Sequence, residues 1–273
     1  MTSSSSPYTE DLRLALMIAD SVDSATLSYF SSMDFAVETK PDLTPVTEAD
    51  KKAEEIIRAQ LGRARGRDSI YGEEFGTTGS GPRQWVVDPI DGTKNFVRGV
   101  PVWATLIALV DSGEPVVGVV SAPALNRRWW AAKDGGAYTG KSLASARTLH
   151  VSDVANVADA SFSYSSLSGW RDIGRSQNFL EFTDAVWRTR AYGDFWSYCM
   201  VAEGAVDVAA EPELALHDMA ALVPLVREAG GKFTSLDGEP GAQGTNALAT
   251  NGHLHEAALG ALAPDAPTPW TQD

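Results

Sequence analysis

The stretch from Trp85 to Phe96, WVVDPIDGTKNF, limits what this chain can become more than any other. An apolar run suited to a buried strand ends in two aspartates, Asp88 and Asp91, with proline and isoleucine between them and Gly92 and Thr93 behind. Pro89 fixes the backbone and removes a donor, while Gly92 permits a tight turn or a close ligand approach, so both acids leave the strand in a constrained loop. Two carboxylates so placed, with the Ile90 carbonyl between them, can point at one spot. A bare D-x-x-D-G also reads as an ordinary strand exit with an aspartate capping whatever follows.

Other acids sit in suitable settings. Glu73, in YGEEFG, lies just before the Gly-rich hairpin that leads into the strand, where it can approach the same rim. Asp218, in ALHDMAAL, begins a helix, a position that also suits an N-cap. Hard divalent ions such as Mg²⁺ take carboxylate and carbonyl oxygens, keep several waters and share substrate phosphate. Glu73, Asp88, the Ile90 carbonyl, Asp91 and Asp218 form a matching inventory. With 22 Lys plus Arg against 36 Asp plus Glu the formal charge is −14, which argues against a nucleic acid or an anionic membrane as the main partner. An anionic ligand needs a local offset to that field, and a bound cation supplies one.

The remaining pattern is that of an α/β (α+β) chain. Leu12, Leu16, Ala19 and Val22 fall at helical spacing, and a second helix follows KPDLTPVTEAD, with Thr47 as N-cap and Asp50 at the capping-box position. Strands QWVVD, VWATLIALVDSG, EPVVGVVSAPAL and RRWWAAKDGGAY suit a largely antiparallel sheet. Beyond a soft boundary near residue 150, dividing an N-terminal half (1–150) from a C-terminal half (151–273), strands and helices alternate, with one helix predicted from Asp218 to Ala229 and ended by Gly230-Gly231. Cys199 stands alone, which excludes an intramolecular disulfide or a cysteine-based zinc site. MTSSSSPYTE carries no basic leader and no apolar run approaches a membrane span, so a soluble, cytoplasmic protein is expected. Trp103, Trp129, Trp130 and Trp187 read as core or interface aromatics.

EEFG, WVVDPIDGTKNF and HDMAALVPLVREAGG together resemble the hallmark motifs of the inositol monophosphatase family, over about residues 9 to 262. The resemblance implies a layered αβαβα sandwich and a Mg²⁺-dependent phosphomonoesterase holding two or three ions. It makes Glu73, Asp88 and the Ile90 carbonyl ligands of one ion and Asp88, Asp91 and Asp218 ligands of the second. Thr93, paired with Asp50, orients and deprotonates the attacking water, and Glu73 is counted with them as catalytic. Backbone N–H groups of Gly92 and Thr93 bind phosphate. Lys40 and Thr44 lie in a mobile loop that helps recruit a third ion. Relatives are commonly dimers, and the central apolar strands are expected to supply a homodimer interface.

One departure stands out: the family usually has a tryptophan immediately before the late aspartate, and here the residue is His217. Packing or hydrogen bonding is the role expected of it, because Mg²⁺ prefers oxygen. On the substrate side Glu211 matches an acid that contacts the non-phosphate half of the substrate, and Asp194 adds a second carboxylate, with Arg190 placed in the same pocket. Asp194 also suits the N-cap of the helix near Phe195, and Arg188 and Arg190 can hold these acids in surface ion pairs. Two carboxylates favour a cationic leaving group over inositol's hydroxyls. The runs YGDFWSYC, NFVRGVPVWA and RRWWAA resemble the actinobacterial histidinol-phosphate phosphatases of the family, which implies a small phosphorylated metabolite, L-histidinol phosphate, as substrate. An inositol-1-phosphate or sugar-bisphosphate phosphatase, and a non-catalytic metal-dependent binding protein, are the alternatives.

Overall fold

The computed structural model describes residues 6–40 and 44–264. The chain runs through α1 (Thr9–Ser32), the ribbon β1 (Val37–Thr39) and β2 (Pro45–Thr47), α2 (Glu48–Ala64), β3 (Ser69–Gly72), β4 (Gly76–Thr78), β5 (Arg83–Asp91), the single turn α3 (Thr93–Phe96), β6 (Ala104–Asp111), β7 (Glu114–Ala122), β8 (Arg127–Ala132), β9 (Gly136–Thr139) and β10 (Arg147–Thr148). Then come β11 (Ser161–Ser163), α4 (Ser168–Asp172), α5 (Ser176–Ala185), β12 (Arg188–Arg190), α6 (Asp194–Ala202), β13 (Val208–Glu211), α7 (Leu216–Met219), α8 (Leu222–Glu228), β14 (Lys232–Thr234), β15 (Ala247–Thr250) and α9 (His255–Leu262).

Two sheets result. The larger has the order β10-β9-β8-β7-β6-β5-β3-β4 and is antiparallel except where β3 joins β5; the smaller has the order β12-β11-β13-β15-β14. Alternation along the strands decides how they are covered. Trp85, Val87, Ile107, Leu109, Val117, Val119 and Trp130 point to one face of the larger sheet, against α1 and α2. Val86, Leu106, Ala108, Val120 and Trp129 point to the other, against the layer of α6 and α8. That layer also packs on the smaller sheet, whose far side carries α5 and α9, giving the αβαβα sandwich that the family resemblance implies. Both faces of the central strands are therefore covered by helices of the chain itself among the described residues. Trp103, Trp129 and Trp130 are core residues, and Trp187 is exposed.

The helix predicted from Asp218 to Ala229 forms as two pieces, α7 and α8. Pro224 has no N–H to give the Ala220 carbonyl, which removes the hydrogen bond that would join them. The junction packs so closely on β7 that a Cβ at Gly118 would come within 2.1 Å of the Ala221 carbonyl oxygen. Gly118 is what lets the late acidic turn reach the edge of β5.

Candidate active site

The end of β5 answers the question its two aspartates raise. Side chains three apart on a regular strand point to opposite faces. Here Asp88 pairs with Leu106 and Asp91 with Ala104, so three steps on β5 oppose two on β6 and the register slips. The extra residue restores the parity, and both carboxylates emerge on one side. Pro89, which could not serve a regular central strand, sits inside this bulge, its carbonyl accepting from Thr105 Oγ1 at 2.8 Å. Ile90 buries its side chain against Phe96 and Trp103, which leaves its carbonyl facing Thr93, whose Oγ1 donates to it at 2.9 Å. Gly92 then turns the chain into α3 with φ 84°; a Cβ there would meet the Val102 carbonyl oxygen at 2.9 Å and Asp194 Oδ2 at 3.1 Å.

Asp50 serves two purposes at once. Its Oδ2 accepts from the Thr47 N–H at 2.8 Å, closing the capping box, and its Oδ1 accepts from Thr93 Oγ1 at 3.3 Å. Burial pushes Asp50 up to about 6, against the pull of the Thr47 hydrogen bonds and with the nearby charge of Glu73 adding to the rise. One turn further along α2, the fully buried Glu54 accepts from the backbone N–H of Glu74 at 2.7 Å and of Phe75 at 3.2 Å, and from Arg58 Nε at 2.7 Å. It anchors the turn that carries Glu73. Lys40 Nζ reaches both Glu73 Oε1 and Glu74 Oε1 at 2.7 Å. Burial lowers the Lys40 pKa, but those hydrogen bonds and charges outweigh it and the net shift is upward. Burial holds Glu74 at about 7 despite the Lys40 hydrogen bond. Thr44 contributes its carbonyl to the Lys40 N–H at 2.8 Å; residues 41–43 of that loop lie outside the described residues.

α7 supplies the last acid. Asp218 does not cap the helix from its first position; it lies in the turn and its Oδ2 accepts back from the Ala215 N–H at 2.6 Å. Ligand atoms of Asp88, Asp91 and Asp218 all lie within 4.8 Å of one another, and so do those of Glu73, Asp88 and His217. Asp88 belongs to both groups. Burial, followed by the charges of their neighbours, pushes Asp88 and Asp91 well above the ordinary carboxylate range. Asp88 Oδ1 is buried with no hydrogen-bond partner. Clustered, desolvated carboxylates with an orphaned oxygen are costly without a cation and suit a hard divalent one.

The far wall comes from the second half of the chain. Asp91 Oδ2 accepts from the Phe195 N–H at 2.8 Å, so it is Asp91 that caps α6. Asp194, released from that duty, has φ 47° and takes Asn95 Nδ2 at 3.1 Å; burial and the charge of Asp218 raise it to about 6. Glu211, 4 % exposed, is pushed by burial to about 8, against the hydrogen bond from Ser165 and with help from the charge of Asp194. Arg190 is not brought to these acids: it is exposed on the edge strand and its Nη1 donates to the Thr189 carbonyl at 2.6 Å. Arg188 donates to the Tyr192 hydroxyl at 3.0 Å, and among the described residues neither arginine forms an ion pair. Glu54, Asn95 and Ser165 join the site without being among the candidates that the sequence points to. Glu54 alone left a signal, an acid four residues from Asp50 in the same apolar stripe of α2.

Residues 9–266 match the inositol monophosphatase family, and the chain belongs to it. It is similar to a histidinol-phosphatase of Streptomyces coelicolor, 64% identical over 259 residues that cover 93% of this chain and 97% of the relative. It is also similar to a histidinol-phosphatase of Mycobacterium tuberculosis, 59% identical over 252 residues covering 92% and 96%. Among solved structures, an inositol monophosphatase from Zymomonas mobilis superposes with a TM-score of 0.83 at 32% identity, covering 94% of this chain and 99% of that one. The chain is thus a phosphoric monoester hydrolase of this family acting on a small phosphorylated substrate. Its carboxylate groups can hold a metal ion, and among the described residues no helix is long and apolar enough to cross a membrane.

Proposed function

We propose that the chain hydrolyses L-histidinol phosphate to L-histidinol and inorganic phosphate, a step of histidine biosynthesis, in the cytoplasm and as a homodimer. The observation that carries this reading is the pair of acids on the far wall, the half-buried Asp194 and the buried Glu211. Both are pushed up by burial and by the charge of neighbouring acids. A leaving group bearing an ammonium and an imidazole gives them the counter-charge that an inositol ring lacks, and charge-assisted hydrogen bonds of this kind are the strong ones. The names of the Streptomyces and Mycobacterium relatives support the same substrate.

Glu73, Asp88, the Ile90 carbonyl, Asp91 and Asp218 would hold two Mg²⁺, with a third, weaker ion near the loop of Lys40 and Thr44. When bound, the ions neutralise the phosphate and favour ionisation of a water. The chain's own residues do the rest. Backbone N–H groups of Gly92 and Thr93, at the start of α3, receive phosphate oxygens. Thr93 Oγ1 orients the attacking water and passes its proton to Asp50, whose pKa near 6 leaves it mostly ionised at neutral pH and able to accept. The water oxygen forms the new P–O bond as the ester P–O bond breaks, and the departing alkoxide takes a proton to leave as the alcohol.

Steady-state phosphate release with Mg²⁺ on L-histidinol phosphate, inositol-1-phosphate and fructose-1,6-bisphosphate tests the reading. We expect kcat/KM for the first to exceed the others by about 100-fold, the worth of a charged hydrogen bond or two. Equal values would replace it with a broad-specificity phosphatase.

A further inference from the structure

α7 places two consecutive side chains toward different parts of the acidic cluster. Asp218 joins Asp88 and Asp91, whereas a ring nitrogen of His217 lies within 4.8 Å of ligand oxygens of both Glu73 and Asp88. Packing and hydrogen bonding, the roles expected from the sequence, account poorly for it. Its Nδ1 is buried without a hydrogen-bond partner, and its Nε2 stands 3.6 Å from Asp218 Oδ1, beyond hydrogen-bond reach. The ring contact nearby is with Tyr71, at 6.1 Å between centroids. Asp88, 2 % exposed and common to both groups, also keeps its Oδ1 without a partner. His217 and Asp88, from two chain segments, thus each carry a buried polar atom without a hydrogen-bond partner, and their ligand atoms belong to one group. Leaving such atoms unmet is costly, which points to a ligand absent from the side-chain network.

We infer that His217 is a nitrogen ligand to the ion held by Glu73 and Asp88, so that this position accepts transition ions more readily than its neighbour does. The Asp88, Asp91 and Asp218 position offers only oxygen. Imidazole suits transition ions such as Zn²⁺ and Fe²⁺, while carboxylate, carbonyl and water suit Mg²⁺ and Mn²⁺ alike, so Mn²⁺ serves here as the paramagnetic probe. The two positions therefore differ in donor chemistry although they share Asp88. The inference rests on the metal-binding part of the proposed function and is independent of the substrate.

The direct test is electron spin-echo modulation of Mn²⁺ bound to the full chain, with Mn²⁺ and Mg²⁺ affinities measured alongside. We expect ¹⁴N modulation from a directly coordinated imidazole in the natural protein. It should be lost in His217→Gln and in His217→Trp, with Mn²⁺ affinity at one position falling at least about tenfold and Mg²⁺ affinity at the other changing less than about twofold. His255→Gln should retain the modulation, since that imidazole sits between the hydroxyls of Thr234 and Thr250 at 3.1 and 3.0 Å. Absence of ¹⁴N modulation in the natural protein, or its persistence in folded His217→Gln, overturns the inference while leaving an all-oxygen metal site intact. Failure of either ion to bind removes the metal-binding reading itself.

Discussion

The two walls of the site are built by different means. The wall formed by β5, α3 and the start of α2 is assembled from local backbone devices: a bulge that turns two aspartates to one side, a glycine at positive φ, and a capping box whose aspartate has an oxygen to spare. The wall of Asp194 and Glu211 is assembled by topology, through α6 and β13 of the second sheet, and is joined to the first by hydrogen bonds from Phe195 to Asp91 and from Asn95 to Asp194. In our proposal the first wall does the chemistry common to the family and the second selects the leaving group.

Substitutions can break that division. The largest effect belongs to Asp88, shared by both ligand groups: Asp88→Asn should abolish phosphate release and Mg²⁺ binding together, measured by turnover and calorimetry. Thr93→Ala and Asp50→Asn should come next, each lowering kcat by about 10²–10⁴-fold, the usual worth of proton-transfer catalysis, with KM little changed. An asparagine at this position keeps an amide oxygen for the Thr47 N–H, so a loss of rate fully accounted for by a loss of folded protein would assign Asp50 to the capping box alone. On the other wall, Asp194→Ala and Glu211→Gln should raise KM for histidinol phosphate by about 10–100-fold. Hydrolysis of an aryl phosphate should be nearly unaffected. Equal effects on both substrates would merge the two walls into one functional unit.

The smallest effect is on stability. Asp50, Asp194 and Glu211 have folded-state pKa values of about 6, 6 and 8, above their unfolded values. Between roughly pH 4 and 8 the native state therefore binds more protons than the unfolded one, and stability falls as pH rises. Thermal denaturation of the metal-free protein should give its higher Tm near pH 5 and a lower one near pH 8. Glu211→Gln should flatten the upper part of that decline by about 2 kcal/mol, since an amide needs no proton to stay neutral. A Tm that rises from pH 5 to pH 8 in the metal-free protein would contradict the burial of these acids.

The contrast between the walls also explains what could be read without coordinates. The strands β5 to β9, both opening helices and the acids Glu73, Asp88, Asp91 and Asp218 are legible because alternation, caps and short motifs each record their element within a few residues. The bulge itself is not, since it depends on the partner strand, nor is the break between α7 and α8, although Pro224 marks it. Ser165 and Asn95 meet Glu211 and Asp194 across 46 and 99 residues of chain. Nothing local at either position records the encounter. Arg190 shows the converse: proximity in sequence to Asp194 suggested a shared pocket, but β12 ends on the sheet edge and carries the arginine outward.

Central to the whole account is a cluster of carboxylates that hydrolyses a phosphate ester only when cations occupy it. The direct measurement is phosphate release from L-histidinol phosphate before chelation, after EDTA and its removal, and after Mg²⁺ is returned. We expect activity to fall to background on chelation and to recover with the added ion. Turnover that survives complete removal of divalent ions, or that no divalent ion restores to a protein still folded, would contradict the account.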